Sequence, residues 1–271
     1  MIRVEILTIG NEVLNGDVVN TNSSYLCKFF TNLGGYVVRN VTVRDDVDWI
    51  ASELKGMLNR GTDIVVTTGG LGPTYDDLTL QGVALSTGKK LVINQEALKM
   101  VERRYEEYVK SGYFESASMI PSRIKMATIP EGSLPLENFA GAAPGVLLSI
   151  DKTDIICLPG VPAEIRSIID NSLQGYLKKK FGKSAFEEKE IFVHWKDEST
   201  LAPLLKEIAD LYPDIYVKSR PKKFGEDLKI RVTFSMLGDS SIEIDRKLKS
   251  ALSTFIGMLE DRKIKFDTGG S

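Results

Sequence analysis

The sequence of 271 residues contains a single histidine, His194, and only two cysteines, Cys27 and Cys157. A zinc site built on several histidines is therefore excluded, and a Ser-His-Asp relay is excluded unless His194 supplies the base. Both cysteines lie in apolar patterns and are far apart in the chain, which indicates buried reduced thiols. Acid–base or metal chemistry must therefore depend mainly on aspartate and glutamate.

Long apolar runs and a strong charge of one sign are also missing. No run of about 18 apolar residues is present, so the sequence predicts no membrane span. The N-terminal residues 1–7 alternate like a strand and do not resemble a signal peptide, so we expect a cytoplasmic protein. The formal net charge of -2 argues against bulk nucleic-acid binding and leaves small anionic ligands open.

Two common nucleotide-binding motifs are absent. No Gly-Lys-Ser or Gly-Lys-Thr follows Gly72, so the Walker A signature is missing. No Gly-x-Gly-x-x-Gly follows the first strand pattern either. Kinase-like NTPases and ordinary NAD enzymes are therefore disfavoured.

Strand and helix patterns alternate through the first 180 residues. Strand patterns cover residues 4–9, 36–43 and 63–67, and the last of these is apolar at its centre, as buried parallel strands are. Residues 146–150 and 154–158 are typical of a hairpin. This order predicts an α/β domain over residues 1–182, with a doubly wound, mostly parallel sheet.

A second, small α+β domain is predicted over residues 185–262. Its β-α-β-β-α order is similar to that of KH-type RNA-binding modules, but the Gly-x-x-Gly loop of those modules is absent. RNA binding through this domain, which would depend on salt concentration, is therefore the weaker functional alternative. A basic turn, which we interpret as a solvated hairpin, contains Lys218, Arg220, Lys222 and Lys223. Residues 263–271 are expected to be a disordered tail.

The most informative segment is Thr67-Thr68-Gly69-Gly70-Leu71-Gly72-Pro73-Thr74-Tyr75-Asp76-Asp77. Its three glycines permit a tight turn, and their N–H groups, with the following helix, predict an anion site. Two carboxylates beside a phosphate make chemical sense if a divalent cation lies between them. Either Asp76 or Asp77 could instead cap the next helix. We interpret the segment as a site for a phosphate-bearing ligand with a metal.

Two further segments directly follow predicted strands. They are Gly10-Asn11-Glu12 and Pro159-Gly160-Val161-Pro162, and ligands bind beyond the carboxyl ends of parallel strands. Glu12 could contact a ribose hydroxyl, help to hold a metal, or be a solvated turn residue. We therefore expect these two segments and the glycine loop at one edge of the sheet.

Several other polar residues have two interpretations each. Asn20 and Asn22 either bind ligand or cap a helix, and Glu164 either serves a ligand or complements its helix dipole. Asn138 and Gly141 belong to a long loop, residues 130–144, that could close over a ligand.

The resulting site hypothesis assigns three sets of residues. Asp76 and Asp77 are the candidate catalytic residues, and with Glu12 they are the candidate metal ligands. The candidate ligand-binding residues are Gly10, Asn11, Glu12, Asn20, Gly69, Gly70, Leu71, Gly72, Thr74, Asn138, Gly141, Pro159 and Gly160.

These segments resemble the CinA family. The resemblance covers residues 1 to about 175, and its specific part is Gly-Gly-Leu-Gly-Pro-Thr-x-Asp-Asp. The other matching segments are Thr8-Ile9-Gly10-Asn11-Glu12-Val13-Leu14-Asn15-Gly16 with residues 17–22, Ala143-Pro144-Gly145 and Leu158-Pro159-Gly160-Val161-Pro162-Ala163-Glu164. The predicted small domain is similar to the middle domain of CinA proteins. No counterpart of the nicotinamide-nucleotide deamidase domain is found, so deamidase activity is not expected.

The first domain also resembles the molybdopterin-binding fold of MoaB and MogA proteins. Those proteins have Thr-Gly where this chain has Leu71-Gly72, which favours the CinA branch. The CinA resemblance implies a pyrophosphatase that cleaves ADP-ribose and releases AMP with Mg²⁺, Co²⁺ or Ni²⁺. The similar domain of eukaryotic FAD synthases implies FAD as another substrate. The alternative is a molybdopterin-binding protein without turnover, and the family's self-association implies a homo-oligomer, with a dimer favoured.

Overall fold

The computed structural model describes residues 1–221 and 229–268, which form two compact units. The larger unit consists of residues 2–31 and 36–182. The smaller unit consists of residue 1, residues 32–35 and the described residues from 183 onward.

A six-stranded sheet with helices forms the larger unit. Its elements are β1 (Ile2–Ile9), α1 (Asn11–Leu14), α2 (Thr21–Asn32), β2 (Gly35–Val43), α3 (Val47–Asn59), β3 (Ile64–Thr68), α4 (Thr79–Thr87), β4 (Leu91–Ile93), α5 (Gln95–Lys110), α6 (Pro121–Met126), β5 (Thr128–Pro130), β6 (Leu134–Leu136), β7 (Gly145–Ile150), β8 (Thr153–Leu158), α7 (Pro162–Ile168) and α8 (Gln174–Phe181). A π-helical turn over Ile169–Leu173 joins α7 to α8. The strands β4 and β5 form a separate antiparallel pair.

The strand order of the large sheet is β2-β1-β3-β8-β7-β6. Strand β3 lies parallel to both β1 and β8, and the register aligns Thr8 with Thr68 and Thr68 with Leu158. The carboxyl ends of these three strands therefore coincide. The hairpin of β7 and β8 is antiparallel, as its sequence predicts. The α/β fold class with a mostly parallel central sheet is confirmed.

Local sequence explains the central elements of this sheet. All five residues of β3 are buried, which is the reason for its apolar composition. Helix α3 begins where the Asp46 side chain accepts hydrogen bonds from the N–H groups of Asp48 and Trp49. Its buried face carries Ile50, Leu54 and Met57 at helical spacing. These contacts position the loops that leave the strands.

The smaller unit is an α+β structure, as predicted. Its elements are β9 (Ala185–His194), α9 (Glu198–Leu211), β10 (Tyr216–Pro221), β11 (Lys229–Gly238), α10 (Ser241–Asp261) and β12 (Phe266–Thr268), and the strand order is β10-β11-β9-β12. Alternating strand residues such as Val193 and Val232 are fully buried with Leu248 and Phe255 of α10. The unit therefore has its own hydrophobic core.

The prediction of a disordered tail over residues 263–271 is partly wrong. Residues 266–268 form β12, which pairs antiparallel with residues 191–193 of β9. Strand β12 satisfies backbone groups at the edge of β9, and Phe266 packs against the core of the unit, so the segment has a reason to be ordered. The last three residues, 269–271, lie outside the described residues, as do Lys222 and Lys223 of the predicted basic turn.

Across residues 1–221 and 229–268, none of the helices combines the length and apolar character that a bilayer crossing requires.

Candidate functional site

Three loops meet at the carboxyl ends of β1, β3 and β8. The Gly69 N–H donates to the Leu158 carbonyl at 3.0 Å, and the Thr68 hydroxyl donates to the Pro159 carbonyl at 2.9 Å. Asn22 Nδ2 donates to the Gly160 carbonyl at 2.6 Å. These bonds bring the glycine loop and the Pro159–Gly160 turn to one edge, as the sequence predicts.

Glycine is required at the start of the central loop. Gly69 has φ 104°, and a Cβ built there would lie 2.1 Å from the Ile9 carbonyl oxygen. Gly70 has φ 65°, and its Cβ would lie 2.5 Å from Thr79 Oγ1. The same Thr79 hydroxyl donates to the Gly69 carbonyl at 2.7 Å. The loop is thus held against both β1 and the first turn of α4.

The central loop contributes Gly70, Leu71 and Gly72 to the wall of a cavity. Within the described part of the chain, no group accepts a hydrogen bond from the N–H of Gly70, Leu71 or Gly72, and all three residues line the cavity. Unpaired amides in a glycine turn can bind anions through their N–H dipoles. This arrangement fits phosphate oxygens. Helix α4 begins only at Thr79, so its first turn does not supply these amides, contrary to the sequence prediction.

Thr74 organises the two aspartates that follow the glycines. Its backbone N–H donates to Asp77 Oδ2 at 2.8 Å, and its hydroxyl lies 2.6 Å from Asp76 Oδ1. The hydroxyl also contacts Asp77. The hydrogen bond from Thr74 lowers the pKa of Asp76, and the charge of Lys125 adds to this effect. Asp76 is therefore held in its charged form beside the cavity.

Lys125 supports the same loop from α6. Its ammonium group donates to the Thr74 carbonyl. Burial lowers the pKa of Lys125, and the charges of Asp77 and Asp76 oppose that shift. Lys125 does not line the main cavity; it lines a smaller neighbouring cavity together with Gly70 and Asp77.

A further carboxylate, Asp45, faces the cavity from the loop after β2. Its Oδ2 accepts the Asn11 N–H at 2.7 Å. Burial raises the pKa of Asp45, and the charges of Glu12 and Asp76 raise it further. The carboxylates of Glu12 in α1 and of Asp76 are therefore both within electrostatic reach of Asp45.

The cavity has a volume of about 440 Å³, which lies in the range of small-molecule sites. None of its lining residues in the described chain is lysine or arginine. The carboxylates of the cavity wall belong to Glu12, Asp45, Asp76, Asp77 and Glu164. The apolar part of the wall includes Ile9, Leu71, Tyr105, Met126, Ala142, Ala143 and Val161. The remaining wall includes Gly10, Gly69, Gly70, Gly72, Thr74, Pro159 and Gly160.

Four of the predicted ligand-binding residues do not line this cavity. Asn20 Oδ1 accepts the Ser23 N–H at 3.0 Å, and its Nδ2 donates to Thr8 Oγ1 at 3.0 Å, so its amide serves the start of α2. Asn11 contributes its N–H to Asp45 and accepts from Arg44 at 3.3 Å. The side chains of Asn11 and Asn20, which we predicted to bind a ligand, are thus used in hydrogen bonds within the protein.

Asn138 and Gly141 do not line the cavity but contact Glu164, which does. Asn138 is 4% exposed and donates to Glu164 Oε2 at 2.8 Å, while Gly141 packs against the Glu164 carboxyl group. The predicted long loop is also shorter than expected, since β6 occupies residues 134–136. Both residues therefore shape the site through Glu164.

The carboxylates fit a divalent cation only in part. No three side chains of His, Cys, Asp or Glu form a metal-binding group among residues 1–221 and 229–268. Magnesium commonly takes one or two carboxylates together with substrate phosphates and waters. Asp76 and Asp77 beside free amides fit a cation of that kind, which the ligand's phosphates would help to hold.

Sequence reasoning missed Asp45, Tyr105 and Met126 as lining residues. The sequence position of Asp45 could have indicated a place at the site, because Asp45 comes two residues after β2, which belongs to the same six-stranded sheet. Its neighbour Asp46 accounts for the helix cap, which leaves Asp45 free for another role. Tyr105 and Met126 lie on helices at apolar spacing and gave no such signal.

Comparisons with known proteins identify the family to which most of the chain is similar. Residues 5–179 match the model of the family described as "Probable molybdopterin binding domain". A protein of Metallosphaera sedula is 38% identical over 256 residues, which is 93% of each chain, and one of Pyrococcus furiosus is 38% identical over 226 residues, 83% of this chain and 88% of its own. The crystal structure titled as the protein CinA with unknown function from Thermoplasma acidophilum is 36% identical, with a TM-score of 0.58, and covers 66% of this chain and 98% of its own.

Proposed function

The chain belongs to the family of probable molybdopterin-binding domains, in its CinA branch, and we propose that its cavity binds and hydrolyses the diphosphate of a dinucleotide-like substrate such as ADP-ribose or FAD. The observation that carries the proposal is the pairing of free loop amides with carboxylates in a cavity whose described lining has no basic side chain. A diphosphate would be repelled there unless a divalent cation neutralised the charge.

The residues of the chain would divide the work between binding and orientation. The N–H groups of Gly70, Leu71 and Gly72 would donate to phosphate oxygens, and the fixed backbone at Gly69 keeps these donors in place. Thr74 would hold the carboxylates of Asp76 and Asp77 toward the cation. A bound divalent cation, Mg²⁺, Co²⁺ or Ni²⁺, would neutralise charge on the diphosphate and polarise a phosphoryl oxygen.

A second candidate function is molybdopterin binding without turnover, and the family match favours it. The same loop amides would hold the phosphate of the pterin ligand. The apolar residues Tyr105, Met126 and Val161 would suit either a pterin or a purine ring. The two functions differ in whether a product appears.

The test is to incubate the purified protein with ADP-ribose or FAD and each cation, and to measure AMP release. We expect AMP from the wild type and a loss of roughly 3 kcal/mol of transition-state stabilisation, about a hundredfold in rate, in Asp76→Asn and Asp77→Asn. Asp48→Asn is the matched control, since Asp48 is exposed in the first turn of α3 and does not line the cavity. Retention of molybdopterin with no AMP would favour the second function, and wild-type rates in both aspartate variants would refute their roles.

A further inference from the structure

Glu164 lines the same cavity as the glycine loop, although the two are far apart in the sequence. It lies in the first turn of α7 and is half-buried. Asn138 Nδ2 donates to its Oε2 at 2.8 Å. Glu164 thus belongs to the cavity wall but has no part in the carboxylate pair at Thr74.

The orientation of the Asn138 amide is fixed by its other bonds. Its Oδ1 accepts the N–H groups of Ala140 at 3.1 Å and Gly141 at 3.0 Å. Its Nδ2 also donates to the Ala143 carbonyl at 2.9 Å. Because the amide oxygen is occupied by two donors, only the NH₂ group can face Glu164.

The Glu164 carboxyl group is held in position from a second side. A Cβ built on Gly141 would lie 2.3 Å from Glu164 Cδ, so the carboxyl group packs directly against the glycine backbone. Among the described residues, none donates a hydrogen bond to Glu164 Oε1, whereas Oε2 accepts one from Asn138. One acceptor oxygen is therefore free for a ligand.

The surroundings favour a donor on that ligand. Burial raises the pKa of Glu164, while the Asn138 hydrogen bond and the charge of Arg104 oppose this shift. Ala142, Ala143 and Val161 line the same cavity and give it apolar surface suited to a planar ring. A carboxylate oxygen accepts N–H hydrogen bonds, and a hydrogen bond to a charged acceptor contributes about 1.5–3 kcal/mol.

We propose that Glu164, fixed by Asn138, recognises the exocyclic amino group of the ligand's heterocyclic ring and so sets which ring the cavity accepts. This inference rests on the proposed function, because it assumes that the cavity holds the phosphate-bearing ligand. Adenine and pterin both carry such an amino group. Hypoxanthine and lumazine carry an oxo group at the corresponding position.

The test uses these two amino/oxo pairs and binding instead of turnover. AMP and IMP, and separately pterin and lumazine, are titrated into the protein with Mg²⁺ by calorimetry. Wild-type protein should bind the amino member of one pair about tenfold more tightly, the value of one hydrogen bond to a buried carboxylate. The preferred pair identifies the ring as a purine or a pterin.

The decisive variant is Glu164→Gln. Because Asn138 can only donate, the new amide must turn its oxygen to Asn138 and its NH₂ group to the cavity, so the preference should reverse toward the oxo member. Glu131→Gln, an exposed carboxylate outside the cavity, is the matched control and should keep the wild-type ratio.

The outcomes separate this inference from the proposed function. An unchanged amino/oxo ratio in Glu164→Gln overturns the recognition role, even when AMP is still released from ADP-ribose. Absence of binding for all four compounds also overturns the inference, while AMP release decides the hydrolytic function independently.

Discussion

Gly69 lies against the carbonyl oxygen of Ile9, so closely that a Cβ on Gly69 would come within 2.1 Å of that oxygen. This contact joins the end of β3 to the end of β1. A Cβ on Gly160 would meet the Gly69 α-carbon at 3.6 Å, an ordinary contact distance. Gly69 is therefore the residue at which the three loops of the site converge.

The first prediction follows from that contact. Gly69→Ala should lower the free energy of unfolding by about 3 kcal/mol or more, because backbone strain and overpacking act together. Gly61→Ala is the matched control: Gly61 also has positive φ, 68°, but nothing lies within 4 Å of its Cβ position. It should cost about 1 kcal/mol. Equal losses in urea unfolding would show that the Ile9 contact is not responsible.

The second prediction concerns the pH dependence of the proposed AMP release. The Thr74 hydroxyl lowers the pKa of Asp76, so Thr74→Val should let that pKa rise toward its ordinary value. The acidic limb of the profile of kcat/KM against pH should then move to higher pH. Thr74→Ser keeps the hydroxyl and should keep the wild-type limb. A limb that stays in place in Thr74→Val would remove Asp76 from the pH dependence.

The third prediction concerns the buried Glu5. Burial raises its pKa, but hydrogen bonds from Arg60, at 2.7 Å from Oε2, and from Thr62 outweigh this and leave the pKa below 4.5. Arg60→Met should therefore cost about 3 kcal/mol at pH 7, since Glu5 is 0% exposed and loses its only charged hydrogen-bond partner among the described residues, while the bond from Thr62 remains.

The sign of the pH effect follows from the lowered pKa. Stability from this pair is fully present above pH 4.5 and is lost as the pH falls through the folded-state pKa of Glu5. Urea unfolding of wild type and Arg60→Met at several pH values should show the two converging below pH 4.5. A constant difference across that range would contradict the assignment to Glu5.

The fourth prediction concerns thiol reactivity. Burial raises the pKa of Cys157 to about 12, and it also raises the pKa of the half-buried Cys27. A disulfide reagent at pH 8 should label Cys27 slowly and leave Cys157 unlabelled in the native protein. The Cys27→Ser variant should show no reactive thiol until it is unfolded. Rapid labelling of that native variant would mean that β8 opens locally.

The fold was predictable to the extent that short patterns decide it. The apolar run at β3, the Asp46 cap and the hairpin of β7 and β8 depend on neighbouring residues, and each is present in the structure. Strand β12 was not predictable, because three residues of ordinary composition become a strand only when β9 offers an edge. Local propensity alone does not specify such pairing.

The site divides in the same way. The sequence by itself determined the chemistry of its central loop, because glycines that must adopt positive φ and two adjacent carboxylates are properties of a short segment. Only the tertiary structure decided that Asp45 joins Glu12 and Asp76, and that Asn138 serves Glu164 from 26 residues away. Such partners meet through sheet order and loop packing, and no local pattern encodes the distance between them.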